Sequence, residues 1–251
     1  MKRKATSQGR KKGTKRQKVV MTTTIAGNAR SFVARSLGTP LAVTERKYYD
    51  QFKNNTAFAD GGSNTISGML DPTAAPANVN TLFAPIQGDD YNTRQGRKVH
   101  IMEVKVRGSV NVPAIANLAV GRVAGFVRLI MVIDKQTNAA QMNSQDLISN
   151  RITGFQNPAF FGRFRILKDK TFNLPQPVMS WDGTNMETGG FQIPFKWKFK
   201  FRKPLLVHFN GTNGGTIADI IDNSLHMVGW TSDLTTTPGL SYNSRTTFID
   251  V

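Results

Sequence analysis

Phe195, Trp197, Phe199 and Phe201 alternate without a break with Lys196, Lys198, Lys200 and Arg202. A period of two belongs to an extended strand, whose successive side chains point to opposite faces. The run FKWKFKFRK therefore predicts a strand over 195–203, with its aromatic face on a core and its cationic face outward. Pro204 lacks an N–H and is placed to end or interrupt the ladder, which LLVHF (205–209) resumes.

The same reading finds strands elsewhere. RKYYDQF (46–52) is the first, and KVHIMEVKVRGSV (98–110) is the second. The second changes phase: Val99 and Ile101 share one parity, whereas Met102, Val104 and Val106 share the other, which predicts a bulge near Ile101. RVAGFVRLIMVID (122–134) is almost continuously apolar, as in a central strand covered on both faces. RFRILKDKTFNL (163–174) closes at Pro175, and LHMVGW (225–230) and LSYNSRTTFIDV (240–251) complete the set. SQDLISN (144–150) and TIADIID (216–222) predict only short helical turns. Four long connections, 60–96, 136–161, 175–190 and 210–222, are rich in turn formers. Eight strands and no long helix point to an all-β, two-sheet antiparallel sandwich of the Greek-key or jelly-roll kind.

Charge divides this chain into two parts. Of 33 Lys and Arg, thirteen lie in residues 1–47 against one acid, Glu45, so that segment carries +12 of the net +17. The rest, at +5, is an ordinary globular body large enough for one core. Residues 1–43 therefore read as a disordered basic arm and 44–251 as the folded domain, because like charges stay solvated. The arm holds three clusters: Lys2, Arg3 and Lys4; Arg10, Lys11 and Lys12; and Lys15, Arg16 and Lys18. Their chemistry is phosphate neutralisation, which releases counterions and takes no account of base sequence. The same nine residues resemble a nuclear localisation signal with separate basic clusters, and so imply a nuclear import receptor as a partner. Lys196, Lys198 and Lys200 are candidates to extend the phosphate-binding surface, set against an ordinary solvated strand face.

Several classes are read as excluded. No Cys is present, which removes disulfides, thiol nucleophiles and thiolate metal sites. The longest apolar run, FVRLIMVI (126–133), is too short to cross a membrane and contains Arg128. The basic start lacks the apolar stretch of a secretory signal, and Gly9, Gly13 and Gly27 oppose an amphipathic presequence helix. His100, His208 and His226 stand in or beside strands with no metal-ligand spacing, and Asp89–Asp90 reads as turn chemistry. GRVAGF (121–126) leads into a strand, so it is no nucleotide loop, and no phosphate loop, nucleophile elbow or HExxH is found. An enzyme, a cofactor and a metal are accordingly not expected.

Three segments in order carry a family resemblance: PIQGDDYNTRQGRKVHIMEVKVRGSV (85–110), FVRLIMVIDKQTN (126–138) and FGRFRILKDKTFNL (161–174). Over about 45–251 the chain resembles the single jelly-roll coat proteins of small icosahedral viruses. Both the circular single-stranded DNA viruses related to geminiviruses and circoviruses and the satellite tobacco necrosis virus type, with an RNA genome, are similar. ERKYYDQF (45–52) and the closing strand pair resemble the DNA branch. The resemblance implies an eight-stranded jelly roll that assembles into a closed (T=1) shell of sixty copies in a virion. The arm would then line the lumen around single-stranded nucleic acid, with DNA favoured and assembly in the host nucleus. Sixty arms would bring about 720 positive charges, enough to balance a strand on the order of a thousand nucleotides. A non-assembling basic nucleic-acid-binding module, of ribosomal or single-strand-binding type, is the competing expectation.

Overall fold

A computed structural model of the chain describes residues 45–57, 81–118, 125–148, 153–175, 179–181, 186–211, 213–232 and 238–250. The chain divides into two units, 1–43 and 44–251, and the first lies wholly outside the described residues. The second unit is all-β and antiparallel. Its strands are β1 (Arg46–Ala57), β2 (Lys98–Val112), β3 (Ile115–Leu118), β4 (Gly125–Asp134), β5 (Phe164–Leu174), β6 (Met179–Trp181), β7 (Met186–Thr188), β8 (Phe191–His208), β9 (Ser224–Thr231) and β10 (Gly239–Asp250). They form a four-stranded sheet β1-β10-β2-β8, a three-stranded sheet β5-β4-β9 and a small sheet β3-β7-β6. The expected helical turns are single turns, at Ser144–Leu147 and Ile217–Asp219.

Among the described residues the chain forms ten strands, where eight are expected. FKWKFKFRK and LLVHF, read as two strands, are one: β8 runs through Pro204 while its register against β2 slips between the pairs Lys200↔Glu103 and Leu205↔Ile101. β8 borders the four-stranded sheet, so both Pro194 and Pro204 are tolerated in it. The three additional strands, β3, β6 and β7, are only three or four residues long.

One apolar core lies between the two larger sheets. It joins Val99, Ile101, Val104, Val106, Val110 and Val112 of β2 to Val127, Leu129, Met131 and Ile133 of β4. The phase change in β2 is what makes this possible. Met102 has no paired residue on either neighbour, because β10 steps from Thr247↔Glu103 to Phe248↔Ile101 and β8 slips at the same place. The extra residue restores the parity, and every apolar residue named in β2 faces inward although the sequence alternation breaks. From β8, Phe195, Trp197 and Phe201 are buried in the same core and Phe199 packs against it. Phe195 and Trp197 lie 5.4 Å apart between centroids, and Phe199 and Phe201 4.9 Å.

Gly108 of β2 stands opposite Tyr242 of β10 and Phe195 of β8. A Cβ there would run into the Ser241 carbonyl and come within 2.8 Å of Tyr242 Cβ. Gly108→Ala is expected to cost about 2–3 kcal/mol as an overpacked core site, seen as a lower urea midpoint.

β4 is buried on both faces, as its composition predicts. Its second face forms another cluster with Val228 and Trp230 of β9, capped by Met142, Leu147, Ile148 and Phe164. At the end of that cluster lies a buried polar group. Arg163 Nε and Nη2 donate to the two oxygens of Asp134 at 2.9 and 2.8 Å, and Asp134 is fully buried. Ser224 Oγ lies 2.6 Å from both Thr137 Oγ1 and His226 Nε2. His226 is fully buried, and burial above all holds its pKa down at about 4; Asp134 raises it and Arg163 lowers it to a lesser degree. An unfolded histidine titrates near 6.5, so between these values the unfolded chain binds a proton that the folded chain refuses. Stability present above pH 6.5 is therefore lost as the pH falls towards 4, by about 3 kcal/mol. Urea denaturation at several pH values checks this: His226→Gln should remove that part of the acid sensitivity.

Lys47, counted above with the basic segment, does not belong to its solvated charge. It is 3% exposed in β1, with Nζ 3.1 Å from Asp250 Oδ2 and 3.3 Å from the Thr93 carbonyl. The first and last strands are thus joined by an ion pair as well as by their ladder.

Candidate nucleic-acid interface

Of the residues read from the sequence as phosphate-binding, Lys2, Arg3, Lys4, Arg10, Lys11, Lys12, Lys15, Arg16 and Lys18 lie outside the described residues. Lys196, Lys198 and Lys200 lie within them, and all three are exposed on the face of β8 opposite its aromatics. Directly opposed residues of an antiparallel pair share a face, so the register identifies their neighbours.

Three rows cross the sheet. Lys196 stands beside Arg107 of β2, which stands beside Asn243 of β10, which stands beside Phe52 of β1. Lys198 stands beside Lys105, then Arg245, then Asp50. Lys200 stands beside Glu103, then Thr247, then Tyr48. Four strands that are remote in sequence thus assemble one surface with six cations and two acids. Neighbouring strands are about 4.8 Å apart and alternate residues along a strand about 6.8 Å, so the cations form a compact array.

The two acids set which cations are committed. Glu103 Oε1 is 3.0 Å from Lys105 Nζ and 3.3 Å from Lys198 Nζ. Burial pushes the Glu103 carboxyl up, but the two ammonium groups outweigh it and hold the pKa below the ordinary value. Arg245 makes a two-pronged contact with Asp50, at 2.7 and 2.5 Å, which raises the guanidinium pKa further. Its guanidinium also lies 5.7 Å from the Tyr48 ring centroid. Arg107, Lys196 and Lys200 form no ion pair among the described residues, which leaves three cations fully available to an outside anion.

Lys105, Arg107 and Arg245 were missed by reading each segment alone. The signal for the first two was present, since both alternate with Val104 and Val106. What the sequence does not carry is that β2 lies between β8 and β10, which brings them to the same surface.

The remaining polar candidates lie in or beside strands and turns of the folded body. His208 Nδ1 lies 2.7 Å from Asp222 Oδ2 at the end of β8, His100 is half-buried in β2, and His226 belongs to the buried group above. The backbone carbonyl of Asp90 accepts from both the backbone N–H and the hydroxyl of Thr93 in a turn, at 3.1 and 2.8 Å. Among the described residues no three His, Asp or Glu cluster as metal ligands do, and no helix is long and apolar enough to cross a membrane. No protein-family model matches the chain, and no curated protein sequence matches it.

Phosphate binding by a cationic face takes no account of base sequence and weakens as salt rises, which gives the sequence-based expectation for Lys196, Lys198 and Lys200 a direct test. Replacing Lys196, Lys198 and Lys200 together by Gln should leave the fold intact, because their side chains support nothing in the core. The slope of log K against log salt for a single-stranded oligonucleotide should become shallower by about 1.4, at about 0.7 for each of the two uncommitted lysines, Lys196 and Lys200. An unchanged slope would return the strand to a plain solvated surface.

Proposed function

We propose that the chain is a viral coat protein: a jelly-roll subunit that self-assembles into a closed icosahedral shell and packages single-stranded nucleic acid through its basic N-terminal segment. The observation that carries this reading is the strand order. In an eight-stranded jelly roll, one sheet sets the first strand beside the eighth, then the third and the sixth. The other sheet sets the second beside the seventh, then the fourth and the fifth. With β1, β2, β4, β5, β8, β9 and β10 taken as all but the second strand, the orders β1-β10-β2-β8 and β9-β4-β5 follow that scheme. That scheme would set the second strand at the open side of β9. There Thr81 bridges His226, and the Leu82 N–H donates to the Leu225 carbonyl at 2.7 Å.

The surface adds support. Phe155 is 87% exposed and Phe161 57%, both in the connection before β5, and Ile86 and Ile221 are also exposed on connections. Large apolar side chains on loops suit contacts between copies, and a closed homo-oligomer repeats one set of complementary patches. A shell also gives the basic segment a use, since many like-charged arms in one lumen need a polyanion to balance them. The nine basic residues of 2–18 then serve twice, as lining and as the address for nuclear import. The available cations of the β1-β10-β2-β8 face make that sheet the one suited to look onto the genome.

Electron microscopy of the purified chain, with the ratio of absorbance at 260 and 280 nm read before and after nuclease, tests the reading. Uniform spherical particles with protected nucleic acid are expected. Deleting residues 2–18 should leave the β body folded and abolish the nucleic-acid content. Monomers that bind single-stranded DNA at low salt but never assemble would instead favour the small binding module.

A further inference from the structure

One row of the cationic face has a composition that phosphate binding alone does not use. Across β1, β10, β2 and β8 it reads Phe52, Asn243, Arg107, Lys196. Phe52 is 62% exposed, on the outer side of its sheet, whereas the aromatics of β8 face the core. Asn243 and Arg107 are exposed beside it. The row borders a concavity of about 570 Å³, lined by Phe52, Asn243, Arg107, Lys105, Arg245 and Asp50 among others.

The charges around the concavity are unequal. Arg245 is engaged by Asp50 and Lys105 by Glu103, so these form nearly neutral walls. Arg107 in the lining, and Lys196 beside it in the row but outside the lining, are the cations left to attract an anion. Three interstrand steps of about 4.8 Å put roughly 14 Å between Phe52 and Lys196. Over that span the order is a π-face, a side-chain amide with both donor and acceptor, and then two cations. A nucleotide can match this order: a flat base, the acceptor on its sugar-side edge (O2 of a pyrimidine, N3 of a purine) for the amide N–H, and, beyond the sugar, a phosphate.

We propose that this row is a nucleotide subsite, in which an unpaired nucleobase stacks on Phe52, its edge meets Asn243, and its phosphate lies on Arg107 and Lys196. The inference rests on the packaging reading and deepens it, because it assigns bases, and not phosphates alone, to the folded body. A base already paired and stacked within a duplex cannot offer its face to Phe52, so the subsite selects single strands. Stacking is tolerant of sequence, since every base has a π-face, and Asn243 adds only a modest preference. The chemistry is common to DNA and RNA.

Photocrosslinking of the full chain tests this. The probes are an oligodeoxynucleotide carrying 5-iododeoxyuridine and an oligoribonucleotide carrying 5-iodouridine, irradiated in complex and mapped by mass spectrometry after trypsin. A crosslink at Phe52, in the peptide of residues 48–53, is expected from at least one probe, and its relative yield tells which sugar the site accepts. Phe52→Leu keeps an apolar side chain on an exposed position, so folding is retained; it should abolish that crosslink and lower single-strand affinity about tenfold. Duplex affinity should not change. Arg107→Gln should weaken binding while the residual crosslink stays at Phe52. Crosslinks confined to residues 1–43, or a Phe52→Leu chain with unaltered single-strand affinity, would overturn the proposal. Filled particles lacking the Phe52 crosslink would overturn this subsite and leave packaging standing. Monomers that crosslink at Phe52 would overturn the shell and leave the subsite.

Discussion

A β-sheet is one backbone thick, and everything here depends on keeping its two faces chemically apart. On β8 the aromatics and the ammonium groups alternate residue by residue, so a slip of one position would exchange core and surface completely. The strand that fixes the register is β2, which pairs with β8 on one side and β10 on the other. Its own sequence is out of phase with itself, and the unpaired Met102 corrects it. Without that extra residue, either Val99 and Ile101 or Val104 and Val106 would face water. The same correction keeps Lys105 and Arg107 on the outer face beside the β8 cations. One bulge thus serves the core and the charged surface together.

The alternation made most of this legible from the residues. Period two in 195–203, the continuous apolar run of 126–133 and the phase change near Ile101 each led to the observed strand, its burial and its bulge. The limits were physical. Pro204 reads as a break because it cannot donate a hydrogen bond, yet on a bordering strand that donor is not needed, so two expected strands are one. The short strands β3, β6 and β7 have too few residues for a period to register. Burial of Lys47 was hidden as well, because its partners, Asp250 and the Thr93 carbonyl, are far along the chain.

The surface was half legible for the same reason. Alternation says which side a cation takes on its own strand, but not which strands become neighbours. Lys196, Lys198 and Lys200 could be named from one segment. Arg107, Lys105, Arg245 and Phe52 join them only through pairing across about 90 to 190 residues of sequence. Acids matter as much as bases in this array. Glu103 and Asp50 hold some cations in place and leave others unbalanced, so like charges can be crowded on one sheet without a proportionate repulsion.

The ion pair between Lys47 and Asp250 also has a mechanical meaning. β1 enters at Arg46 opposite Ile249, at the very end of β10, and the two strands run antiparallel. Tension transmitted along the chain from residue 45, directed along the strand, loads the β1–β10 ladder in shear, so its hydrogen bonds share the load instead of opening one at a time. The buried Lys47 stands at the head of that ladder and meets the load first. A polymer pulling on the preceding segment would therefore draw against the whole β1–β10 ladder at once.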